Sequence, residues 1–250
     1  MKNRVTYRNG SNIIVFRLGK TSNKKIAAAN EKIVQTYTFS QAQFEYIYQC
    51  QKDSVKPEFK VFFSLDAANC GDCPFAANNQ FKVQKIGKCY THKVMQYSGF
   101  ISMLKSINSQ FDTFADVPKW GSDIAEQVVK MCNNRYVRFG TYGEPTEIDL
   151  DVVNVITLVC KNWTGYTHQY LRKPEYLAYF MASVHNENQS NFVHNRFEGR
   201  SFIAAKNNEG VKAVICPASN EAGFISNCSK CGLCSGTNGK GKKDVIILEH

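Results

Sequence analysis

The chain has 250 residues, enough for one large domain or two small ones, and its hydrophobic share of 43% is ordinary for a globular protein. No run approaches about 18 apolar residues, and the polar N-terminus lacks the apolar core of a secretory signal, so we expect a soluble protein of the cytoplasm without a membrane span. The net charge of +10 suits either a nucleic-acid partner or a solvated basic surface, since no dense basic run occurs.

Strand-like and helix-like patterns alternate along the chain, after weak signals over residues 1–30. Alternation of β-branched and aromatic residues predicts a strand over 32–40, and helical spacing predicts a helix over 41–53. The apolar run 60–66, "KVFFSLD", predicts a further strand that leads into the first cysteine group. The remaining predicted strands are 135–145, 164–170, 179–184, 201–206, 212–219 and 244–248, and the remaining predicted helices are 94–108, 148–162 and 190–200.

Strands that alternate with helices over short connections are typical of parallel β/α units. We expect an α/β fold of a single domain (1–250), a complete or partial TIM-type β/α barrel, in which the segment 216–243 is a cysteine-rich elaboration. An open doubly wound sheet is the competing fold. Polar residues that follow predicted strands favour the barrel, because strand ends meet at one face there. These residues are Asp66 to Cys73, Arg138 to Glu144, His168, His185 and Cys216.

Ten cysteines are many for a chain in which we predict no secretory signal, and this favours metal or cluster ligands over disulfides. Cys50, Cys132 and Cys160 are isolated in apolar or amphipathic surroundings, which predicts buried or half-exposed thiols. The other seven cysteines form two groups.

The C-terminal group consists of Cys216, Cys228, Cys231 and Cys234, with the spacing C-x11-C-x2-C-x2-C. The C-x2-C-x2-C part is the local spacing with which a loop holds three corners of a 4Fe–4S cluster, while a remote cysteine holds the fourth. Pro217 stiffens the turn after the remote cysteine. Zinc is the alternative, because four thiolates also suit a tetrahedral zinc ion.

The N-terminal group consists of Cys70, Cys73 and Cys89, with the spacing C-x2-C-x15-C. Three thiolates could leave one metal position open to a substrate, or a fourth ligand such as His92 could complete the site. The seven thiols therefore allow one 4Fe–4S cluster or two, a cluster with a zinc ion, or a cluster with spare thiols.

Five segments carry a resemblance to an uncharacterised family of cysteine-rich phage and prophage proteins, and they span residues from about 60 to the C-terminus. The resemblance implies a phage origin, and a distant similarity to radical-SAM-like phage proteins implies an iron–sulfur barrel in the host cytoplasm. The chain departs from radical SAM enzymes because it has no C-x3-C-x2-C. The segments are "NCGDCPFA…GKCYTHK", "VRFGTYGEP", "WTGYTHQY", "FMASV" and "CPASNEAGFISNCSKCGLCSG".

Four residues near predicted strand ends are candidate catalytic groups. Arg138, Tyr142 and Glu144 surround a tight turn and could hold an anionic or polar substrate, or Arg138 and Glu144 could simply steady the loop. His168 is a candidate proton donor or ligand, with a structural histidine as the alternative. His185, His194 and Glu221 are weaker candidates.

The sequence thus predicts a phage-encoded protein that binds an iron–sulfur cluster and has a β/α-barrel core, with any enzymatic site at the barrel mouth. Its partner would be a small molecule or a redox protein. A zinc-stapled nucleic-acid-binding protein is one alternative, and a cluster-bearing electron-transfer or structural protein is another. Walker, G-x-G-x-x-G, H-E-x-x-H and nucleophile-elbow motifs do not occur.

Overall fold

A computed structural model of the chain describes residues 3–71, 73, 76, 89, 91–208 and 210–248. Within these residues, ten strands form two five-stranded sheets. The first sheet contains β1 (Arg4–Asn9), β2 (Asn12–Lys20), β3 (Lys32–Ser40), β4 (Tyr136–Tyr142) and β5 (Asn162–Thr164). The second contains β6 (Tyr166–Thr167), β7 (Met181–Val184), β8 (Ser201–Ala205), β9 (Val214–Ile215) and β10 (Val245–Leu248).

The helices differ widely in length, and none in the described part of the chain is both long and apolar enough to cross a membrane. Three short 3₁₀ turns accompany them, at Phe114–Asp116, Pro145–Glu147 and Pro174–Ala178. The α-helices are α1 (Gln41–Lys52), α2 (Phe59–Ser64), α3 (Ala67–Cys70), α4 (Val94–Asn108), α5 (Ser122–Cys132), α6 (Leu150–Val159), α7 (Glu187–Phe197) and α8 (Cys228–Cys231).

The first sheet is mixed and the second is parallel. The strand β2 pairs antiparallel with both β1 and β3, whereas β4 pairs in parallel with both β3 and β5. The second sheet has the order β6-β7-β8-β10-β9, with every pair parallel. The chain passes from β5 to β6 through Gly165, whose carbonyl accepts a hydrogen bond from the backbone N–H of Met181. Successive parallel strands are therefore neighbours from β3 to β5 and from β6 to β8, and the chain at Gly165 joins the two runs.

The predicted α/β fold is confirmed, but a complete barrel is not what the described residues form. Neither sheet closes on itself within the described residues. The antiparallel β1 is an edge strand of the first sheet, and the two-residue β9 is an edge strand of the second. Hydrophobic periodicity finds strands and cannot determine whether the outer strands meet, so the sequence could not decide this point.

Alternate residues of the strands face two different layers, as the pleat requires. On one face, Val137 and Phe139 of β4 pack against α5 and α6, and Ala182 and Val184 of β7 lie in the same core cluster as Val193 of α7. Two different parts of the chain cover the opposite face of the strands. Helices α1, α2 and α4 cover the end of β4 near Tyr142, and the cysteine-rich C-terminal segment covers the rest.

Several predicted elements differ from the observed ones. The run 60–66 lies mainly in helix α2, where Phe62 and Phe63 are fully buried, because a short apolar run fits a buried helix as well as a strand. Residues 4–20 form a hairpin with the two-residue loop Gly10-Ser11, and Gly10 has a φ of +55° at the first loop position, where glycine is typical of tight hairpins. Helix α5 was not predicted, and the strand predicted over 212–219 contains only β9.

Candidate metal centres

The C-terminal cysteines are held by the one-turn helix α8. The side chain of Asn227 caps the turn by accepting a hydrogen bond from the backbone N–H of Lys230. The backbone N–H of Cys228 donates to the carbonyl of Lys25 at 2.9 Å, which fastens the turn to the loop before β3. Gly232 ends the turn with a φ of +66°, and a Cβ there would lie 2.5 Å from the side chain of Asn162. Glycine at this position therefore allows the cysteine loop to lie directly on β5.

The other two thiols of this group come from the second sheet and from the junction between the sheets. Cys216 follows β9, and its backbone N–H donates to Ile246 of β10 at 2.8 Å. The carbonyl of Cys234 accepts a hydrogen bond from the N–H of Gly165, at the point where β5 passes into β6. Regular structure thus fixes the backbone at both residues.

All four thiols of the C-terminal group line a single cavity, together with Thr164 and Val245 from the sheets. None of them is in a disulfide bond. In the described chain, no three of the four sulfur atoms lie within 4.8 Å of one another. The thiols therefore surround a shared space without converging on one point.

Positive side chains accompany these thiols. Burial raises the pKa of Cys228 to about 11, and the nearby Arg138 guanidinium opposes that rise. Burial also raises the pKa of Cys234, while Tyr166 hydrogen-bonds its sulfur and opposes the rise. The amine of Lys25 lowers the pKa of Cys216, although burial dominates and the net change is upward. A bound cationic centre would offset the cost of ionising these buried thiols.

The second group forms where α3 meets the carboxyl ends of β3 and β4. Three polar side chains fasten α3 and the residue Leu65 before it to the first sheet. The amide of Asn12 donates to the carbonyl of Ala68 at 2.9 Å, and the amide of Asn69 donates to the carbonyl of Thr38 at 2.8 Å. The hydroxyl of Ser40 donates to the carbonyl of Leu65. Cys70 and Cys73 follow from this turn, and the N–H of Cys73 donates to the carbonyl of Cys70.

Glu144 reaches the same place from the end of β4. Gly143 precedes it with a φ of +75°, and a Cβ at Gly143 would lie 2.8 Å from the Cβ of Thr38. The buried carboxylate of Glu144 accepts hydrogen bonds from the hydroxyl of Thr167 at 2.8 Å and from the backbone N–H of His168 at 3.1 Å. The end of β6 therefore fixes the orientation of this carboxylate.

The imidazole of His168 lies between Glu144 and Cys73. Its Nδ1 is 3.1 Å from Oε1 of Glu144 and 3.5 Å from Sγ of Cys73. The ligand atoms of these three residues all lie within 4.8 Å of one another. Burial acts to lower the pKa of His168, but the hydrogen bonds with Cys73 and Glu144 outweigh it and raise the pKa to about 10.

Cys70 and Cys89, the remaining members of the N-terminal group, lie near Cys73, Glu144 and His168 but do not contribute to that trio of ligand atoms. Burial raises the pKa of Cys70, and Asp66, Cys73 and Cys89 add to that rise, so the three thiols lie close enough to influence one another. The Nε2 of His92 is 3.7 Å from Oδ2 of the buried Asp66. Among the described residues, none of these other side chains belongs to a trio of ligand atoms within 4.8 Å.

The candidate catalytic residues separate into different surroundings. Glu144 and His168 are adjacent, whereas Arg138 lies beside Cys228 of the other group. Tyr142 is fully buried among aromatic rings, and its hydroxyl accepts a hydrogen bond from the amide of Gln43 at 2.6 Å. The ring of His185 lies 6.5 Å from the ring of His168.

Sequence analysis missed several residues that shape these sites. Thr167 orients Glu144, and the amide of Gln169 donates to the carbonyl of Cys70 at 3.2 Å. Both residues flank His168 at a strand end, and that position was a signal that could have drawn attention to them. Asp244 is also buried, where it accepts hydrogen bonds from Ser190 and the N–H of Ser201 and lies 2.8 Å from Nε2 of His194.

An open cleft of about 460 Å³ lies beside His194 and Asp244. Lys212, Lys242 and Lys243 are among the residues that line it. Three lysines around one cleft make it a candidate surface for an anionic ligand.

No protein-family model, no curated protein sequence and no solved structure matches the chain. The resemblance to phage proteins and the partial-barrel interpretation therefore remain predictions from the sequence.

Proposed function

We propose that the protein binds a 4Fe–4S cluster through Cys216, Cys228, Cys231 and Cys234. The observation that carries the proposal is the single cavity lined by all four thiols. A cluster of this type presents four irons, each of which takes one thiolate. Four thiols that line one cavity match that number of ligands, and the cysteine loop would move outward to admit the cluster, because the cavity is about 10 Å³.

The spacing of the sulfur atoms supports a cluster over a zinc ion. Tetrahedral zinc has Zn–S bonds of about 2.3 Å, which places its sulfur ligands about 3.8 Å apart. In this group no three sulfur atoms come within 4.8 Å of one another. A larger group with one thiolate at each corner accommodates wider separations, and zinc would require the cysteine loop to contract.

The surrounding residues would tune such a cluster. A bound cluster would supply electron transfer, or Lewis-acid chemistry where an iron is open. The chain itself supplies the cations of Arg138 and Lys25 near the thiols, and the hydroxyl of Tyr166 on the sulfur of Cys234. Net charge and hydrogen bonds to the sulfurs are the features that set a cluster's reduction potential.

The wider proposal is a phage-encoded protein of the host cytoplasm with a partial β/α-barrel core. It is supported by two runs of parallel strands that are neighbours in chain order, β3 to β5 in the first sheet and β6 to β8 in the second. Its reactive site would be the strand ends that carry Glu144 and His168, where a small molecule or a redox partner would bind. Carboxyl ends of parallel strands are where α/β enzymes place such sites.

Anaerobic purification followed by absorption spectroscopy tests the cluster proposal. We expect a brown protein with broad visible absorption that bleaches on reduction, and acid-labile sulfide at about four per chain. A colourless protein that contains zinc and no sulfide would contradict the proposal. The Cys50→Ser variant is the matched control, because Cys50 is a buried thiol of helix α1 outside both groups.

A second candidate function, binding of a nucleic acid, is favoured by the lysine-lined cleft and the net charge of +10. Phosphate contacts by lysines make affinity fall steeply with salt. We expect a Lys212→Gln, Lys242→Gln, Lys243→Gln triple variant to weaken DNA binding and to flatten its salt dependence. An unchanged salt slope would contradict a role for this cleft.

A further inference from the structure

The meeting of three different ligand atoms at the ends of β4 and β6 points to a second metal site. We infer that Cys73, Glu144 and His168 bind one divalent transition-metal ion, zinc or ferrous iron, as a site separate from the four C-terminal thiols. The inference deepens the proposal of a reactive site at the strand ends. It does not depend on whether the C-terminal thiols hold a cluster.

The distances fit a single ion. Bonds of about 2.3 Å to sulfur and about 2.0 Å to nitrogen or oxygen, at tetrahedral angles, place S and N about 3.5 Å apart and N and O about 3.3 Å apart. The observed separations are 3.5 Å from Cys73 Sγ to His168 Nδ1 and 3.1 Å from that nitrogen to Glu144 Oε1. An ion would therefore require only small side-chain movements.

The same geometry argues against a nucleophilic Cys–His–Glu relay. In such a relay the histidine uses one ring nitrogen for the nucleophile and the other for the carboxylate. Here both Cys73 and Glu144 lie against Nδ1 of His168. Because both partners lie against the same nitrogen, the three ligand atoms converge on one point, as the ligands of a single ion do.

The donor set selects the type of ion. One thiolate, one imidazole and one carboxylate suit zinc, ferrous iron or cobalt, whereas calcium and magnesium prefer oxygen ligands alone. The carboxylate is already oriented by the hydroxyl of Thr167 and the N–H of His168. Outer hydrogen bonds of this kind commonly support metal ligands.

Three ligand atoms converge here among the described residues, and a site with three protein ligands has a fourth position for water or for an oxygen atom of a substrate. This arrangement is typical of catalytic zinc sites, in which the metal polarises a carbonyl or lowers the pKa of bound water. The side chain of His168 is 19% exposed and that of Glu144 is 5% exposed, so the site is sheltered but still reachable at the histidine. The ligand class is therefore a divalent ion together with a small oxygen ligand.

Cobalt binding tests the inference, with cobalt and acid-labile sulfide measured per chain in the full-length protein. After chelation and dialysis against Co²⁺, we expect about one cobalt per chain in protein that retains about four sulfides, because four C-terminal thiols without a cluster would bind cobalt as well. The variants Cys73→Ser, Glu144→Gln and His168→Asn should each weaken cobalt binding by at least about tenfold. The controls Cys70→Ser and Cys89→Ser should retain it, because neither thiol belongs to the convergent trio.

Sulfide content separates failure of this site from failure of the proposed cluster. Loss of cobalt with unchanged sulfide is the expected result for the three ligand variants. If Cys70→Ser and Cys89→Ser abolish metal binding while His168→Asn does not, the site is a three-thiolate centre and the inference is wrong. Absence of cobalt binding in the unmodified protein would also overturn it.

X-ray absorption at the cobalt edge gives a readout that requires no variant. We expect one sulfur neighbour and two or three nitrogen or oxygen neighbours around the ion. Three or four sulfur neighbours, in protein that retains about four sulfides per chain, would contradict the inference, whatever the folding behaviour of the variants.

Discussion

The two cysteine groups differ in how closely their ligand atoms approach one another. Around Cys231 four thiols line one cavity, and no three of the sulfurs come within 4.8 Å of one another. Around Cys73 a thiol, an imidazole and a carboxylate all lie within that distance. Cysteine spacing in the sequence predicts metal ligands in both places. Only the distances between the ligand atoms indicate whether each place can hold a single ion or a larger metal cluster.

The groups also differ in how their ligands are supplied. Cys228, Cys231 and Cys234 come from one short segment that lies on the sheet. Cys73, Glu144 and His168 come from three separate places in the chain, and the ends of β4 and β6 bring Glu144 and His168 together. A local motif can be recognised from sequence, whereas a site assembled by a sheet depends on which strands become neighbours.

The largest expected effect is the loss of the cluster in Cys234→Ser. A serine hydroxyl is a poor substitute for a thiolate, and Cys234 is buried at the junction of the two sheets. We expect acid-labile sulfide to fall from about four to less than about one per chain. Cys160→Ser serves as the control, because Cys160 caps helix α6 on the other face of the sheet. Full sulfide content in Cys234→Ser would contradict the assignment.

A Gly143→Ala substitution should damage the second group alone. The added Cβ would lie 2.8 Å from Thr38 Cβ and 2.9 Å from its carbonyl oxygen, at a φ of +75°. We expect the free energy of unfolding to fall by about 2–4 kcal/mol, measured by chemical denaturation, and cobalt binding to weaken as Glu144 shifts.

Gly99→Ala is the matched control for that substitution. Gly99 lies in helix α4, and a Cβ there would meet nothing within 4 Å. The control should gain about 0.5–1 kcal/mol, because alanine favours the helix. Equal stability of Gly143→Ala and Gly99→Ala would disprove the close approach of the β4 turn to β3.

A Tyr142→Phe substitution separates a structural tyrosine from the metal ligands. It removes the hydroxyl that accepts a hydrogen bond from Gln43 in a fully buried environment. We expect a loss of about 1–2 kcal/mol of unfolding free energy, with cobalt and sulfide unchanged. Tyr48→Phe, in a half-buried position of helix α1, should change stability less. Loss of cobalt in Tyr142→Phe would instead place that hydroxyl in the site.

The smallest expected effect concerns Arg138, whose charge lies near Cys228. Reduction adds a negative charge to a cluster, so removing a nearby cation should make its reduction potential more negative. For Arg138→Gln we expect a shift on the order of tens of millivolts, measured by redox titration with EPR detection. Arg135→Gln is the control, since Arg135 hydrogen-bonds the end of helix α5 instead. A positive shift would contradict the stated charge effect.

Much of the fold could be predicted from the sequence, because strands such as β3 and helices such as α4 have clear periodicity. The helix α2 could not, since "KVFFS" is apolar and short and gains its burial from a tertiary core. The hairpin of β1 and β2 turns at Gly10-Ser11, and a glycine followed by a serine is a signal for a two-residue hairpin loop, so it was recoverable in principle.

The candidate sites were predictable to different degrees. The C-x2-C-x2-C spacing indicated the C-terminal group directly, but it did not distinguish a cluster from zinc. Glu144 and His168 were both candidates, yet nothing in the sequence indicated that they would meet Cys73. Their contact depends on β5 pairing with β4 and on the chain continuing through Gly165 into β6.

The measurement that tests the central claim most directly is the count of metal ions and acid-labile sulfide per chain in protein purified without oxygen and supplied with iron and zinc. Two centres of different size predict about four sulfides and about five metal ions, because a 4Fe–4S cluster carries sulfide and a single ion does not. About eight sulfides would indicate that the second group also holds a cluster. Absence of sulfide would contradict the assignment of the four C-terminal thiols.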